Sequence, residues 1–469
     1  MAHGGVWHSR ALGGPDHNEP GLDKGARIRH SRRFPLAPVP ATEPAVIIQT
    51  FIVIATAILL WSLVARRLQR WRVGAPVVMV LAGVAEGFGL ISTLDVTLNT
   101  EVALHTAEVI LAILLFVDAT HVRGGRPWGN YPRTAVRLLL VALPLSLLIT
   151  LALGLVLLPG LPWAAVLVVA TVVMPTDYAP AAAILRDRRF RIAVRDPLNV
   201  EGGWNDGIVS PLFLFAVARA GERPETDSAR QALGAALPAT AKAVVVGVFL
   251  GAALAWAMSQ AERWGLADHQ ARRITIVLAP VLTYAVAVAV DGNGFVASFV
   301  CGDVLVYVRG RMTGAAESPT PPTGGDLDLD LLEDITFLLT MVMWFVFGSV
   351  AVFVVSLGVD WRVVVFAVAV LTVARVGPIV LAMTGSRYST RDRLLLGALG
   401  PRGTTSIVFG LIAFNTLQGA TANAVLTTTI VVVLGSLAVH GLAIPALTRS
   451  WPQTSTENEH EDSTPQQAQ

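Results

Sequence analysis

Long apolar stretches alternate with short polar connections through most of this chain. They fall at 45–65, 74–92, 102–121, 134–158, 162–185, 197–218, 235–258, 273–290, 293–308, 335–356, 361–383, 393–414 and 423–447. About 20 apolar residues cross a bilayer as a helix, at ~1.5 Å of rise per residue against ~30 Å of hydrocarbon. The pattern predicts an all-α polytopic membrane protein of about 13 transmembrane helices. The windows at 273–290 and 293–308 are separated only by "VDGNGF", which must then be a very tight turn.

Charge orients the spans. The connections after odd-numbered windows include "ARRLQRWR", "RDRRFRIAVRD" and "SRYSTRDR". Together the odd connections carry about twenty Lys and Arg, the even ones about four, so the odd loops face the cytoplasm. This places the N-terminus outside and the C-terminus inside, in the cell membrane. The polar segment 1–43 opposes that orientation with Lys24, Arg27, Arg29, Arg32 and Arg33, but the internal loops outweigh it. It has no apolar run like that of a signal peptide. Segments 1–43 and 450–469 read as disordered tails around a transmembrane domain at 44–449. A Pro/Gly and acidic stretch, "GAAESPTPPTGGDLDLDLLED", joins two halves of the chain.

Composition narrows the function classes. Charged residues make up 14% of the chain, against about 25% in soluble domains. The lone Cys301 excludes an intramolecular disulfide and reads as a small buried apolar residue. A net charge of +2 gives no reason to expect nucleic acid. The chain has no phosphate-binding "GxxxxGK[ST]" and no "HExxH", so neither ATP as fuel nor a metalloenzyme is expected, nor any resident cofactor.

Ionisable groups at bilayer depth are costly and are functional candidates by default. Glu101, Asp291, Asp334 and Lys242 lie near predicted ends and read as interface residues. His105, Glu108, His121 and His440 are open between hydrogen-bonded packing and a ligand role, packing being the commoner use of a lone intramembrane His. Glu86, Asp303 and Arg375 sit deeper and are second-rank candidates, each expected to pair with a neighbouring helix.

Three stretches concentrate polar groups. In "VVMPTDYAPAAAIL", Pro175 and Pro180 flank Thr176 and Asp177. Proline removes an N–H and clashes with the carbonyl four residues back, so a broken helix with freed carbonyls is expected. Lipid tolerates such a break only inside protein or beside a watery cavity. In "NVEGGWNDG", Glu201 and Asn205 share one helix face, with Gly202 and Asp206 on the adjacent stripe. Gly202, Gly203 and Gly207 clear that surface for another backbone. In "GALGPRGTTSIVFGLIAF", Gly400, Pro401 and Gly403 interrupt a span around Arg402. A buried Arg needs a carboxylate, and Asp177, Glu201 and Asp206 are on offer.

Taken in order, these stretches resemble the NhaP-type monovalent cation:proton antiporters, which include the sodium/proton exchangers. That pattern is roughly Thr-Asp-Pro, then Glu-Ser-Gly-x-Asn-Asp-Gly, then Gly-x-Arg-Gly. Here it reads Thr176-Asp177-Tyr178, Glu201 to Gly207, and Gly400 to Gly403. The resemblance implies inverted repeats with two crossing broken helices in a core domain, and a homodimer formed through a separate dimerisation domain. It implies that Asp206 carries the ion and the proton, and that Asp177 and the Thr176 carbonyl line the cation site. Asn205 would support the site, and the Asn-Asp pair implies electroneutral exchange. Arg402 would pair with Glu201, and Asp118 in "LLFVDAT" would lie near the site. Two departures stand out. Gly202 replaces a Ser whose hydroxyl can ligate the cation, and Tyr178 replaces a Pro, leaving Pro180 as helix breaker.

The expected function is secondary exchange of Na⁺ or K⁺ for H⁺ by alternating access, the two competing for Asp206. A proton-coupled carrier of another small solute and an ion channel are the alternatives. A carrier of organic anions should present cationic groups, whereas this site has excess acid.

Overall fold

The computed structural model describes residues 43–71, 73–90, 101–121, 128–178, 190–221, 229–312, 329–356 and 358–444. The chain divides into two units, 1–47 and 48–469. In the first, only the opening of α1 (Glu43–Arg70) is described. The tails at 1–42 and 445–469, the acidic connection over 313–328, and Pro180 lie outside the described residues.

Every regular element among the described residues is helical. After α1 come α2 (Ala75–Leu90), α3 (Glu101–His121), α4 (Pro132–Leu157), α5 (Trp163–Val173), α6 (Ile192–Gly221) and α7 (Ala229–Arg263). Then follow α8 (His269–Ala289), α9 (Gly294–Met312), α10 (Asp330–Ser356), α11 (Trp361–Ala382), α12 (Thr390–Ala398), α13 (Thr404–Thr416) and α14 (Gly419–Ala443). Seven of them are long and apolar enough to cross a membrane unaided. Their outward faces carry large apolar side chains such as Phe51, Leu63 and Phe249, as lipid requires.

Close helix pairing rests on small residues. With lipid outside, helices gain no hydrophobic drive toward one another and associate by packing and hydrogen bonds. On α7, a Cβ at Gly247 would stand 2.6 Å from the Ala297 carbonyl of α9, and one at Gly251 would stand 2.7 Å from that of Cys301. The two backbones therefore touch. Cys301 is fully buried there, with the Thr283 hydroxyl 3.3 Å from its sulfur. The tight turn between α8 and α9 is present: Asp291 takes φ 55°, and Asn293 Oδ1 accepts from the N–H groups of Phe295 and Val296 at 3.0 and 3.2 Å. That cap supplies acceptors to two N–H groups that have no partner inside the helix. Asp291, Asp334 and Lys242 are exposed, as interface residues should be.

Two short helices break the pattern of single spans. α5 has 11 residues and α13 has 13; at ~1.5 Å per residue each covers about half to two-thirds of the hydrocarbon thickness. Both stop at a non-helical segment, 174–178 after α5 and 399–403 before α13. The window at 393–414 is thus α12, a break and α13. By contrast α6 begins well before its window, at Ile192, and runs 30 residues through Pro197 and Pro211. The polar stretch at 199–207 is therefore interior helix and not a start in the cytoplasmic interface. The main apolar core, including Phe213, Phe299, Trp344 and Phe409, surrounds α5, α6, α13 and α14.

Candidate ion-binding site

The two breaks are bonded to each other. The Asp177 N–H donates to the Pro401 carbonyl at 3.0 Å. In return, the Asp177 carboxylate accepts from the Thr404 N–H, the first of α13, at 2.6 Å. The start of a helix leaves N–H groups without partners and carries the positive end of the macrodipole, so an anion is stabilised there. Gly403 makes the approach possible, because a Cβ at that position would collide with the Asp177 carboxylate. The Tyr178 hydroxyl adds a third tie, donating to the Leu399 carbonyl at 2.8 Å.

Helix α6 lies against both breaks. Asn205 Nδ2 donates to the Thr176 carbonyl at 3.0 Å and meets Thr176 Oγ1 at 2.5 Å. The carbonyl expected to be set loose by the broken helix is thus taken by an amide. One helical step on, Asp206 Oδ2 accepts from the Thr405 hydroxyl at 2.6 Å. Asn205, Asp206 and Thr176 are all 1% exposed or less. Asn205 Oδ1 and Asp206 Oδ1 are buried and have no hydrogen-bond partner among the described residues. Asp118 on α3 lies close enough for its charge to act on Asp206 and Asp177. Among the described residues, no group of three or more His, Cys, Asp or Glu side chains is arranged to hold a metal ion. Any cation here would need hydroxyl and carbonyl oxygens as well as carboxylates.

Glu201 has a different partner from the one expected. Arg375, not Arg402, grips it with both terminal nitrogens, Nη1 on Oε1 and Nη2 on Oε2, the second at 2.8 Å. Both side chains are buried. The cause is tertiary. α11 is interrupted at Thr372 (φ −113°, ψ −81°), and its second half carries Arg375 to α6. Gly400, a glycine of the late motif, leaves the space that the Arg375 guanidinium occupies. Arg402 is also fully buried, but it turns to backbone: its Nη1 donates to the Pro175 carbonyl at 3.3 Å. Its Nε and Nη2 have no hydrogen-bond partner among the described residues.

Gly202 and Gly207 act differently from the expected backbone approach. A Cβ at Gly202 would stand 2.8 Å from the Tyr178 ring, and one at Gly207 would stand 2.7 Å from the Phe299 ring. They admit aromatic rings. Sequence reasoning also passed over a brace from α14. Ser436 Oγ accepts the Arg402 N–H at 2.7 Å, and His440 Nε2 lies 2.9 Å from the Ala398 carbonyl. Both ends of the second break are tied to α14, at a π-helical turn spanning Leu437–Ala443. Such turns recur at functional sites, yet nothing in "GSLAVHGLA" signals one. Thr405 was visible only as one of several hydroxyls behind the second break.

An all-helical membrane protein in which two helices end at non-helical segments bonded to each other, with buried acids beside them, has the architecture of a secondary transporter. The sequence model of the transmembrane sodium/hydrogen exchangers matches residues 52–450, and the chain belongs to that family. It is similar to a Na(+)/H(+) antiporter of Schizosaccharomyces pombe, with 23% identity over 363 residues, 72% of this chain and 76% of the relative. Its fold is that of the sodium proton antiporter MjNhaP1 from Methanocaldococcus jannaschii at pH 8, with a TM-score of 0.69 at 18% identity over 87% of this chain and 99% of that one. A second structure of that protein, from electron microscopy, gives 0.62 at 17% identity over 86% and 96%.

Proposed function

We propose that this protein exchanges Na⁺ or K⁺ for H⁺ across the membrane, with Asp206 as the group that holds either. The observation that carries this is the asymmetry of Asp206. One oxygen accepts from Thr405, and the other is buried without a donor. A buried acceptor left unmade costs free energy that a proton or a cation would recover. Thr176 and Asp177 supply the further oxygens a bound cation would use. Monovalent cations need no more than such oxygen ligands and water.

Asn205 fits a supporting role. Its amide donates to the Thr176 carbonyl, which an ionised carboxylate cannot do. A site with Asp206 as its only exchanging acid would move one cation against one proton, so net charge would not cross. Asp118 stands as a nearby acid that tunes the field at Asp206. Alternating access would come from movement of the bonded breaks with α6 against the rest of the bundle. Assembly as a homodimer in the cell membrane, N-terminus outside, completes the reading through the family resemblance and the loop charges.

The test is exchange in proteoliposomes, following luminal pH on addition of Na⁺, K⁺ or Li⁺, with and without a clamped potential. The expected outcome is saturable cation-driven proton movement that is insensitive to the clamp and lost in Asp206→Asn. Normal exchange by that variant would remove Asp206 from the mechanism.

A further inference from the structure

The two departures of this chain from the family motif touch each other. Tyr178 stands where the pattern that the chain resembles has Pro, and Gly202 where it has Ser. In the fold, the ring of Tyr178 lies directly over Gly202: a Cβ there would be 2.8 Å from Cδ2 and 3.0 Å from Cε2 of the ring. The same position is 3.7 Å from the Thr176 carbonyl, the oxygen that Asn205 holds. The ring cannot simply swing aside, because its hydroxyl is bonded to the Leu399 carbonyl at the mouth of the second break. Tyr178 is 8% exposed, and the charges of Glu201, Arg375 and Arg402 all reach it.

The geometry points to Tyr178 as a positioning residue whose ring and hydroxyl replace the support that a side chain at 202 would otherwise give. The ring fills the space over α6, and the hydroxyl fixes the second break against the first. The two positions are therefore coupled: a side chain at 202 meets the ring while Tyr178 is present, and the ring keeps its place because 202 is glycine. The cation is left with one fewer side-chain oxygen than a Ser at 202 would offer. This inference rests on the exchange reading for its transport arm but not for its packing arm.

The experiment compares wild type, Gly202→Ser, Tyr178→Ala, the double variant and Tyr178→Phe, in proteoliposomes and by folded yield in detergent. Contacting residues show large non-additivity, so Gly202→Ser should raise the cation half-saturation about tenfold and the double variant should return it to within about threefold of wild type. Tyr178→Phe keeps the ring and loses only the tie to Leu399; it should lower the maximal rate while leaving half-saturation nearly unchanged. A Gly202→Ser variant that behaves as wild type, or effects that merely add in the double variant, would overturn the pairing. If Gly202→Ser does not accumulate as folded protein, recovery of yield in the double variant supports the pairing, and continued loss overturns it. Absence of exchange by wild type in the same vesicles would count against the transport reading alone, because the yield comparison stands without it.

Discussion

Helix α6 carries two buried carboxylates five positions apart, Glu201 and Asp206, and the fold treats them oppositely. Glu201 meets a guanidinium with two parallel hydrogen bonds, while Asp206 meets a single hydroxyl and keeps one oxygen without a donor. A buried ion pair is neutral as a unit and has no use for a second cation. Asp206 feels the buried Arg402 charge but makes no hydrogen bond to it, so one of its oxygens stays open to a proton or an ion. The difference teaches that depth alone does not mark a transport group. The state of its counter-charge does.

That contrast can be broken in several ways. Asp206→Asn should give the largest effect, abolishing cation-dependent proton flux while the protein still runs as a folded species in size exclusion. Glu201→Ala should act on the fold: stranding the Arg375 charge costs about 3–5 kcal/mol, seen as a large drop in thermal midpoint. Replacing the pair together, Glu201→Leu with Arg375→Met, should restore much of that stability, since apolar residues of similar volume substitute well for buried pairs. If the double variant is as unstable as the single one, Glu201 has a role beyond pairing.

Smaller changes sharpen the comparison. Asn205→Asp places a second acid beside Asp206 and removes the donor to Thr176. If wild-type exchange is one-for-one as proposed, this variant's exchange should instead depend on a clamped potential, as read by current on a solid-supported membrane. Thr405→Val removes the one donor to Asp206. A hydrogen bond of this kind contributes about 1 kcal/mol net, so the cation half-saturation should rise roughly fivefold with the fold intact. An unchanged half-saturation would mean that the Thr405 hydroxyl does not hold the charged carboxylate during transport.

Much of the architecture was legible because its causes are local. Spans follow from apolar length, and the break after Val173 follows from prolines that remove donors. The depth of "NVEGGWNDG" was legible only in part, since a polar start to an apolar window reads equally as an interface. The helix begins seven residues earlier than Asn199, at Ile192, which places these groups at 0–1% exposure for Glu201, Asn205 and Asp206. The partner of Glu201 was not legible. Arg375 and Arg402 both lay well inside apolar windows, and the motif drew attention to Arg402. A turn at Thr372 and a space at Gly400 decided for Arg375, and neither shows in any periodicity.

By itself, then, the sequence determined that this is a polytopic helical protein, where its helices fail, and which residues could carry charge into the membrane. Those are consequences of hydrocarbon thickness, backbone hydrogen bonding and desolvation, all of which act within a few residues. Only the tertiary structure decided which charges cancel. It set Arg375 on Glu201, Asp177 on the first N–H of α13, Thr405 on Asp206 and Tyr178 over Gly202. Electrostatic pairing falls off over a few ångströms, and the hydrogen-bonded partners among these are brought that close from positions 174 to 227 apart only by the packing of the helices.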